Sequence, residues 1–238
     1  MATPTSRRAA LLTVNRKARR GESAIDEALN RLRAGGIVLE VVESSDPDDL
    51  GRILDARPGR FDCVIVGGGD GTMNAAGQHL VGRDVPLGIL PLGTANDLAR
   101  TLGIAPDLDE AVRIIVEGHT RRIDLGQVND HVYFNLASLG YSVTLTKTLT
   151  SESKRRWGTL GYAIAALKIL GQARPFFVDF EVDGVTRRAR TLQIGVGNGR
   201  YYGGGMVVEE NAAPDDERLD VYSLEFESWW QLAAIVPA

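Results

Sequence analysis

The first half of the chain alternates two kinds of apolar pattern. The runs "AALLTV", "IVLEVV", "FDCVIV" and "PLGIL" are short and almost continuously apolar, which is typical of buried strands. Between them, apolar residues recur three and four positions apart, which predicts helices in "ESAIDEALNRLRAGG", "DPDDLGRIL", "TMNAAGQHLV", "NDLARTLG" and "DLDEAVRIIVEG". Asp107 and Glu110, at the start of the last helix, have the spacing of a capping box. This alternation predicts a parallel sheet covered by helices.

The pattern changes after about Asp124. The stretches "VYFNLAS" and "FFVDFEV" alternate apolar and polar residues, and Asp183-Gly184 is a strong hairpin signal before "RARTLQIGVG". One predicted helix, "WGTLGYAIAALKIL", interrupts this β-rich half. The sequence therefore predicts an α/β domain over residues 1–123 and a β-rich second domain over residues 124–238.

Composition excludes some classes of protein. The net charge of -4 gives no support to a nucleic-acid partner. The single cysteine, Cys63, allows no intrachain disulfide, and no apolar stretch predicts a signal peptide or a membrane span. We therefore expect a cytoplasmic protein. Residues 1–33 carry an excess of basic side chains, which suits a phosphate or an anionic membrane surface as well as it suits a solvated basic face.

A glycine-rich stretch, "VIVGGGDGTMN", joins a predicted buried strand to a predicted helix. Backbone N–H groups at such a helix N-terminus bind anions. The stretch lacks the lysine of a P-loop, and Thr72 stands where the dinucleotide fingerprint has its third glycine. Asp70 would repel a polyphosphate unless Mg²⁺ lay between the two, so we predict that Asp70 holds the metal of a nucleotide. The simpler alternative is that Asp70 caps the following helix.

The next loop, "PLGTANDLAR", also runs from a strand end to a helix start, and it carries Thr94, Asn96 and Asp97. Polar loops after adjacent parallel strands form a crevice at one edge of the sheet. A third acid, Asp124, lies in "RRIDLG". Each acid alone is equally well explained as a cap or turn residue, but together Asp70, Asp97 and Asp124 predict a metal–water network.

Four segments carry a family resemblance: "GGGDGTMN", "LGILPLGTANDLARTLGI", "RRIDLGQVN" and "IGVGNGRYYGGGM". They closely resemble the diacylglycerol kinase catalytic-domain family, specifically the bacterial YegS-type lipid kinases, over essentially the whole chain. The short "GGDGT" is shared with NAD kinase and phosphofructokinase relatives, whereas the following "LGTAND" is characteristic of the lipid kinases. The resemblance implies an NAD kinase/diacylglycerol kinase-like α/β domain, a sandwich-like second domain, and ATP and Mg²⁺ as cofactors.

The resemblance also implies site residues. Those that contact ATP and its phosphates would be Asn15, Gly68, Gly69, Asp70, Gly71, Thr72, Met73, Asn74, Thr94, Asn96 and Asp97. The predicted metal ligands include the acids Asp70, Asp97 and Asp124. The resemblance implies a second, structural Mg²⁺, bound by Asp216 and by main-chain oxygens of Ala213 and Arg218. A solvated acidic turn is the alternative for this last segment.

This chain departs from the family pattern at several positions. Arg16 follows Asn15, Ala75 follows Asn74, Glu217 replaces a usual glycine, and the adenine contact expected around Glu43 is in doubt. The general base of the family lies in a later "LDGE" motif that is absent here. We therefore expect a truncated form of the protein and assign no catalytic residue.

These observations predict an enzyme that transfers the γ-phosphoryl group of Mg-ATP to the hydroxyl of a diacylglycerol-like lipid, in phospholipid metabolism. We expect it to act as a peripheral protein at the inner membrane surface. The sequence is compatible with a homodimer. A non-catalytic nucleotide- or lipid-binding fragment is the first alternative. A kinase for a soluble acceptor such as NAD is the second.

Overall fold

The computed structural model describes residues 8–14, 22–42, 48–141, 174–207 and 209–225. The predictions for Asn15, for the surroundings of Glu43 and for the helix "WGTLGYAIAALKIL" lie outside the described residues. The chain forms two compact units. The first combines residues 1–136 with residues 198–218, and the second combines residues 137–197 with residues 219–238. The domain boundary near Asp124 stays a prediction.

A four-stranded parallel sheet forms the centre of the first unit, with the strand order β2-β1-β3-β4. In β1, Leu12 pairs with Val41 on one side and with Ile65 on the other. Parallel neighbours require a crossover between them, and a helix follows each of these strands in the chain. The strands are β1 (Arg8–Val14), β2 (Ile37–Val42), β3 (Cys63–Gly68) and β4 (Leu87–Pro91).

Helices cover both faces of this sheet because successive strand residues point to opposite sides. Leu12 and Ile65 pack with α1 and α5 in one apolar cluster, whereas Leu11 and Val64 pack with α2, α3 and α4 in another. The predicted α/β domain with a parallel sheet is thereby confirmed. The helices are α1 (Glu22–Ala34), α2 (Asp48–Ala56), α3 (Asp70–Leu80), α4 (Asp97–Thr101) and α5 (Leu108–Glu117).

The capping box predicted for α5 is only half right. Asp107 is the N-cap, and its carboxylate accepts a hydrogen bond from the Asp109 N–H at 2.9 Å. Glu110 does not close the box, because it pairs instead with the Arg113 guanidinium at 2.6 Å. That hydrogen bond lowers the pKa of Glu110. A cation one turn further along the helix therefore competes successfully with the N-cap N–H for this carboxylate.

Two short hairpins complete the first unit. They are β5 (Gly126–Val128) with β6 (His131–Tyr133), and β10 (Tyr201–Tyr202) with β11 (Met206–Val207). The alternating stretch "VYFNLAS" is divided between two strands, because the chain breaks at Phe134 and Asn135 before β7 (Leu136–Gly140). There the Phe134 N–H donates to Asn74 Oδ1 at 3.1 Å, and the Asn135 carbonyl accepts from the Asn198 N–H at 2.7 Å. These bonds take the backbone groups that a continuous strand would use.

The second unit is a sheet in which β8 (Phe176–Val182) and β12 (Asp220–Glu225) pair antiparallel with the long β9 (Val185–Gly197). The strand order is β12-β9-β7, with β8 also on β9. Asp183 and Gly184 both have left-handed backbone angles, with φ of 51° and 76°. This is the geometry of a two-residue hairpin turn, so the β-rich second half and its turn are confirmed.

Candidate functional site

The loops that follow β3 and β4 touch through two glycines. A Cβ built on Gly93 would lie 2.5 Å from the Gly69 Cα, and one on Gly69 would lie 3.2 Å from the Gly93 Cα. Either side chain would force the two backbones apart, so this close approach requires glycine at both positions. The predicted crevice at the carboxyl edge of the sheet is therefore built on direct backbone contact between its two loops.

The glycines of "GGGDGT" do not all serve the same purpose. A Cβ on Gly68 would lie 2.5 Å from Thr72 Oγ1, so this glycine is explained by packing inside the unit. Gly71 differs, because a Cβ built there would meet no heavy atom within 4 Å. The helix α3 begins already at Asp70, with Gly69 as its N-cap. Gly71 therefore lies exposed in the first turn of α3. The first N–H groups of a helix lack helical acceptors, although here the Thr72 N–H already donates to the Gly69 carbonyl at 2.9 Å.

Asp70, the acid in question, is half-buried at the first position of α3. Its Oδ1 accepts a hydrogen bond from the Leu98 N–H at 3.0 Å, at the start of α4. Asp70 thus stabilises the N-terminus of a neighbouring helix, a partner that the sequence did not indicate. Within the described part of the chain its Oδ2 has no hydrogen-bond donor, which leaves that oxygen available to a metal ion or to water.

Asn96 shapes the second loop. Its amide closes a ring with Gly93, since Oδ1 accepts from the Gly93 N–H at 2.9 Å and Nδ2 donates to the Gly93 carbonyl at 3.0 Å. Its backbone is left-handed, with φ of 51°, a conformation that asparagine adopts more readily than most residues. The Asn96 side chain therefore holds the loop with both of its polar atoms, and its predicted contact with ATP stays a prediction.

Asp97 is buried, with 4 % of its surface exposed, and both of its carboxylate oxygens are engaged. Oδ2 accepts from the Gly204 N–H at 2.9 Å, and Oδ1 accepts from the Gly205 N–H at 2.8 Å. Gly203, Gly204 and Gly205 all have positive φ, between 59° and 101°. We call these three residues the glycine turn, which joins β10 to β11. Asp97 thus anchors the glycine turn beside the two loops.

A cavity of about 190 Å³ opens where these elements meet. Asp70 and Asn74 of α3, Asp97 of α4 and Tyr202 of β10 contribute polar groups to its wall. The rest of the wall is formed by Leu98, Phe134, Asn135, Leu136 and Gly203. Two acidic residues, Asp97 and Asp70 at the first position of α3, therefore line one cavity.

Asp124 is absent from the wall of this cavity. Its Oδ2 accepts from the Glu217 N–H at 2.7 Å, and its own N–H donates to the Pro214 carbonyl at 2.6 Å. Asp124 therefore lies against residues 213–218, the segment for which the resemblance implies a structural Mg²⁺. There Asp216 Oδ1 accepts from the Arg218 N–H at 3.0 Å. Asp70 and Asp97 line the cavity whereas Asp124 contacts residues 213–218, and the metal–water network of the three acids stays a prediction.

The other predicted site residues of the two loops lie in different surroundings. Met73 is buried among the apolar residues of α2 and α4, so its side chain lies away from the cavity. Thr72 packs against Gly68, and Thr94 is exposed on the second loop. Asn74 both lines the cavity and accepts a hydrogen bond from Phe134. The two loops therefore hold most of the predicted set close together.

The side chains fit a magnesium ion that is shared with a ligand. Among the described residues, no group of three or more His, Cys, Asp or Glu side chains is arranged to bind a metal ion alone. Asp70 and Asp97 supply two carboxylates at one cavity. Mg²⁺ commonly uses one or two carboxylates together with water and substrate phosphates, so a complete protein cage is not required.

Sequence reasoning missed Asn198 as a residue that holds the site together. It is 2 % exposed, and its Nδ2 donates to the carbonyls of Asp124 and Phe134 at 2.8 and 2.9 Å. Because both acceptors are carbonyls, the orientation of the amide is determined. The segment "GNGRYYGGGM" held the available signal, since an asparagine between two glycines and three further successive glycines indicate unusual backbone geometry.

Comparisons with known proteins agree with this geometry. A family model described as the diacylglycerol kinase catalytic domain matches residues 9–128. A second, described as the YegS C-terminal NAD kinase beta sandwich-like domain, matches residues 135–238. The chain belongs to the diacylglycerol kinase catalytic-domain family, as a YegS-like member.

Relatives support the same assignment. The lipid kinase YegS of Escherichia coli (strain K12) is 35% identical over 219 residues, which cover 90% of this chain and 73% of the relative. A probable YegS-like lipid kinase of Klebsiella pneumoniae is 36% identical, covering 89% of this chain and 72% of the relative. The crystal structure of a diacylglycerol kinase from Bacillus anthracis matches with a TM-score of 0.74 and 28% identity, covering 92% of this chain and 74% of that one.

No helix in the described part of the chain is long and apolar enough to cross a membrane.

Proposed function

We propose that this protein is an ATP- and Mg²⁺-dependent lipid kinase that transfers a γ-phosphoryl group to the hydroxyl of a diacylglycerol-like lipid. The observation that carries the proposal is that Asp70, which lines the cavity together with Asp97, is followed directly by the exposed Gly71 at the start of α3. A helix N-terminus attracts phosphate, and a carboxylate beside it attracts the accompanying cation. The membership in a lipid kinase family supports this assignment.

The residues have distinct roles in the proposal. The exposed N–H groups of the first turn of α3 bind phosphate oxygens, and Gly71 lets the phosphates approach because it has no side chain. The Asp70 Oδ2 would hold Mg²⁺, directly or through water, while its Oδ1 stays bonded to the Leu98 N–H. Mg²⁺ supplies charge neutralisation at the transferring phosphoryl group. Asp97 adds negative charge to the cavity and holds the glycine turn.

The acceptor is a lipid hydroxyl, and no described side chain is assigned as its general base. A lipid substrate lies in a bilayer, so the enzyme acts at the inner membrane surface as a peripheral protein. Because acyl chains contact generic apolar surface, the particular lipid is decided by assay. Labelled ATP is offered with diacylglycerol, a sphingoid base, phosphatidylglycerol or NAD. Transfer to NAD alone would contradict the proposal.

The role of Asp70 is tested with Asp70→Asn. Asparagine keeps an oxygen that can accept from the Leu98 N–H, so the fold should persist while the charge is lost. We expect the affinity for ATP in the presence of Mg²⁺ to fall by at least about tenfold, as expected when a charged partner of a metal is removed. Isothermal titration with and without Mg²⁺ measures this change.

The matched control is Asp55→Asn, which removes the same charge from an exposed ion pair with Arg83, away from the cavity. It should leave the affinity for Mg-ATP unchanged. If Asp70→Asn binds Mg-ATP as well as the control does, Asp70 is a helix cap and nothing more.

A further inference from the structure

The β10–β11 hairpin exposes apolar side chains beside the cavity. Met206 is 52 % exposed and Val207 is 45 % exposed. Consecutive strand residues point to opposite faces, so exposure of both means that both faces of β11 reach solvent. The other strand carries Tyr202, which lines the cavity. One short hairpin therefore connects the cavity to an exposed apolar surface.

The hairpin is also held in place. The two hydrogen bonds from the glycine turn to the buried Asp97 carboxylate attach it to α4. Hydrogen bonds to a charged acceptor are stronger than those between neutral groups. An exposed apolar element that is fixed by a buried carboxylate is suited to presenting its side chains in one orientation.

Basic and aromatic side chains flank this apolar surface. The Arg200 guanidinium lies over the Tyr201 ring, with 5.4 Å between its Cζ and the ring centroid. The Arg100 Nε lies 3.5 Å from the position that a Cβ on Gly205 would take. Both arginines are exposed. Two exposed acids follow the hairpin, and of these Glu209 accepts from the Asn211 N–H at 3.2 Å while Glu210 is the next residue.

From this arrangement we propose that the β10–β11 hairpin inserts Met206 and Val207 into the surface of an anionic lipid bilayer. The inference rests on the proposed lipid kinase function, since a lipid acceptor must pass from a bilayer to the cavity. Apolar side chains enter the acyl boundary, tyrosine suits the interface, and arginine contacts anionic headgroups. The hairpin would thereby bring the bilayer surface to the wall of the cavity.

The test uses an environment-sensitive NBD fluorophore on a new cysteine. Val207→Cys places it on the hairpin, and Val81→Cys is the matched control, because Val81 is 52 % exposed at the C-cap of α3, the opposite end of that helix from Asp70. Cys63 is buried, and burial raises the pKa of its thiol, so maleimide at neutral pH should label the new cysteine. The labelled proteins are mixed with vesicles of phosphatidylcholine, alone or with one quarter phosphatidylglycerol.

We expect the emission of the label at position 207 to shift to the blue and to rise several-fold with anionic vesicles, while the label at position 81 stays unchanged. Met206→Asp should weaken binding to these vesicles by about tenfold or more, from the apolar area withdrawn from the bilayer. Arg200→Gln should weaken binding to anionic vesicles by about fivefold and leave binding to neutral vesicles unchanged.

Three results would overturn the inference. They are an absent shift at position 207, an equal shift at both positions, and a shift at position 207 that grows with protein concentration without vesicles. The last would mean that the hairpin contacts a second copy of the chain. Failure of the proposed function is seen separately, because Mg-ATP titration needs no vesicles and the label needs no nucleotide.

Discussion

Gly71→Ala separates a structural role of the glycine-rich stretch from a binding role. A Cβ at this position would meet nothing within 4 Å, and the Gly71 backbone is not left-handed. Alanine therefore fits without strain in the first turn of α3. Because glycine is less favourable than alanine in a helix, we expect the free energy of unfolding to rise by about 0.5–1 kcal/mol.

The same methyl group should oppose the ligand. If phosphates lie against the first turn of α3, the methyl group occupies the space through which they approach. We expect the dissociation constant for Mg-ATP to rise by at least about tenfold, which corresponds to ~1.4 kcal/mol. Urea denaturation and isothermal titration on one preparation measure the two effects, which have opposite signs for the protein.

Gly69→Ala provides the contrast, since its methyl group would press on the Gly93 Cα at 3.2 Å and should lower stability. The reasoning fails if the dissociation constant of Gly71→Ala for Mg-ATP is within about twofold of that of the unmodified chain. A twofold change is far smaller than the tenfold change that we expect. A stability loss in Gly71→Ala would show instead that the space beside Gly71 is not open.

Two further predictions concern the supports of the site. Asp97→Asn keeps one acceptor oxygen for the two N–H groups of the glycine turn, so one charge-assisted hydrogen bond, worth about 1.5–3 kcal/mol, is lost. Amide hydrogen exchange at Gly204 and Gly205 should therefore become about ten- to hundredfold faster. Unchanged exchange would show that Asp97 does not anchor the glycine turn. Glu217 has a φ of 59°, so Glu217→Gly should raise the free energy of unfolding by roughly 0.5–1 kcal/mol in urea denaturation, and a decrease would show that its side chain matters more than its backbone angle.

Local patterns predicted the layers of the first unit and the hairpin at Asp183, because strand and helix periodicities and the Asp-Gly turn are properties of short segments. The loop after β4 was also predicted as a polar site. The sequence could not indicate which hydrogen-bond partners the side chains of this loop would have. Asn96 bonds to Gly93 three residues earlier, whereas Asp97 bonds to Gly204 and Gly205, more than a hundred residues later.

The same limit applies to two features that the local patterns did not report. The break in "VYFNLAS" depends on Asn74 and Asn198, which lie far away in the chain and leave no mark on the alternation of that segment. The contact of Asp124 with residues 213–218 depends on the return of that segment to the first unit. Long-range hydrogen bonds of side chains and backbone decided these features, and the local periodicity of the sequence does not report them.

The discontinuous composition of the first unit has a consequence for biosynthesis. Residues 1–136 leave the ribosome well before residues 198–218, yet Asp97 and Asp124 find their hydrogen-bond donors in that later segment. Until residues 137–197 of the other unit have been translated, these carboxylates in the nascent α/β unit can bond only to water. The hydrogen bonds that complete the first unit therefore form late. A polypeptide that ended at residue 136 would contain the glycine-rich loops but not the glycine turn, which Asp97 holds.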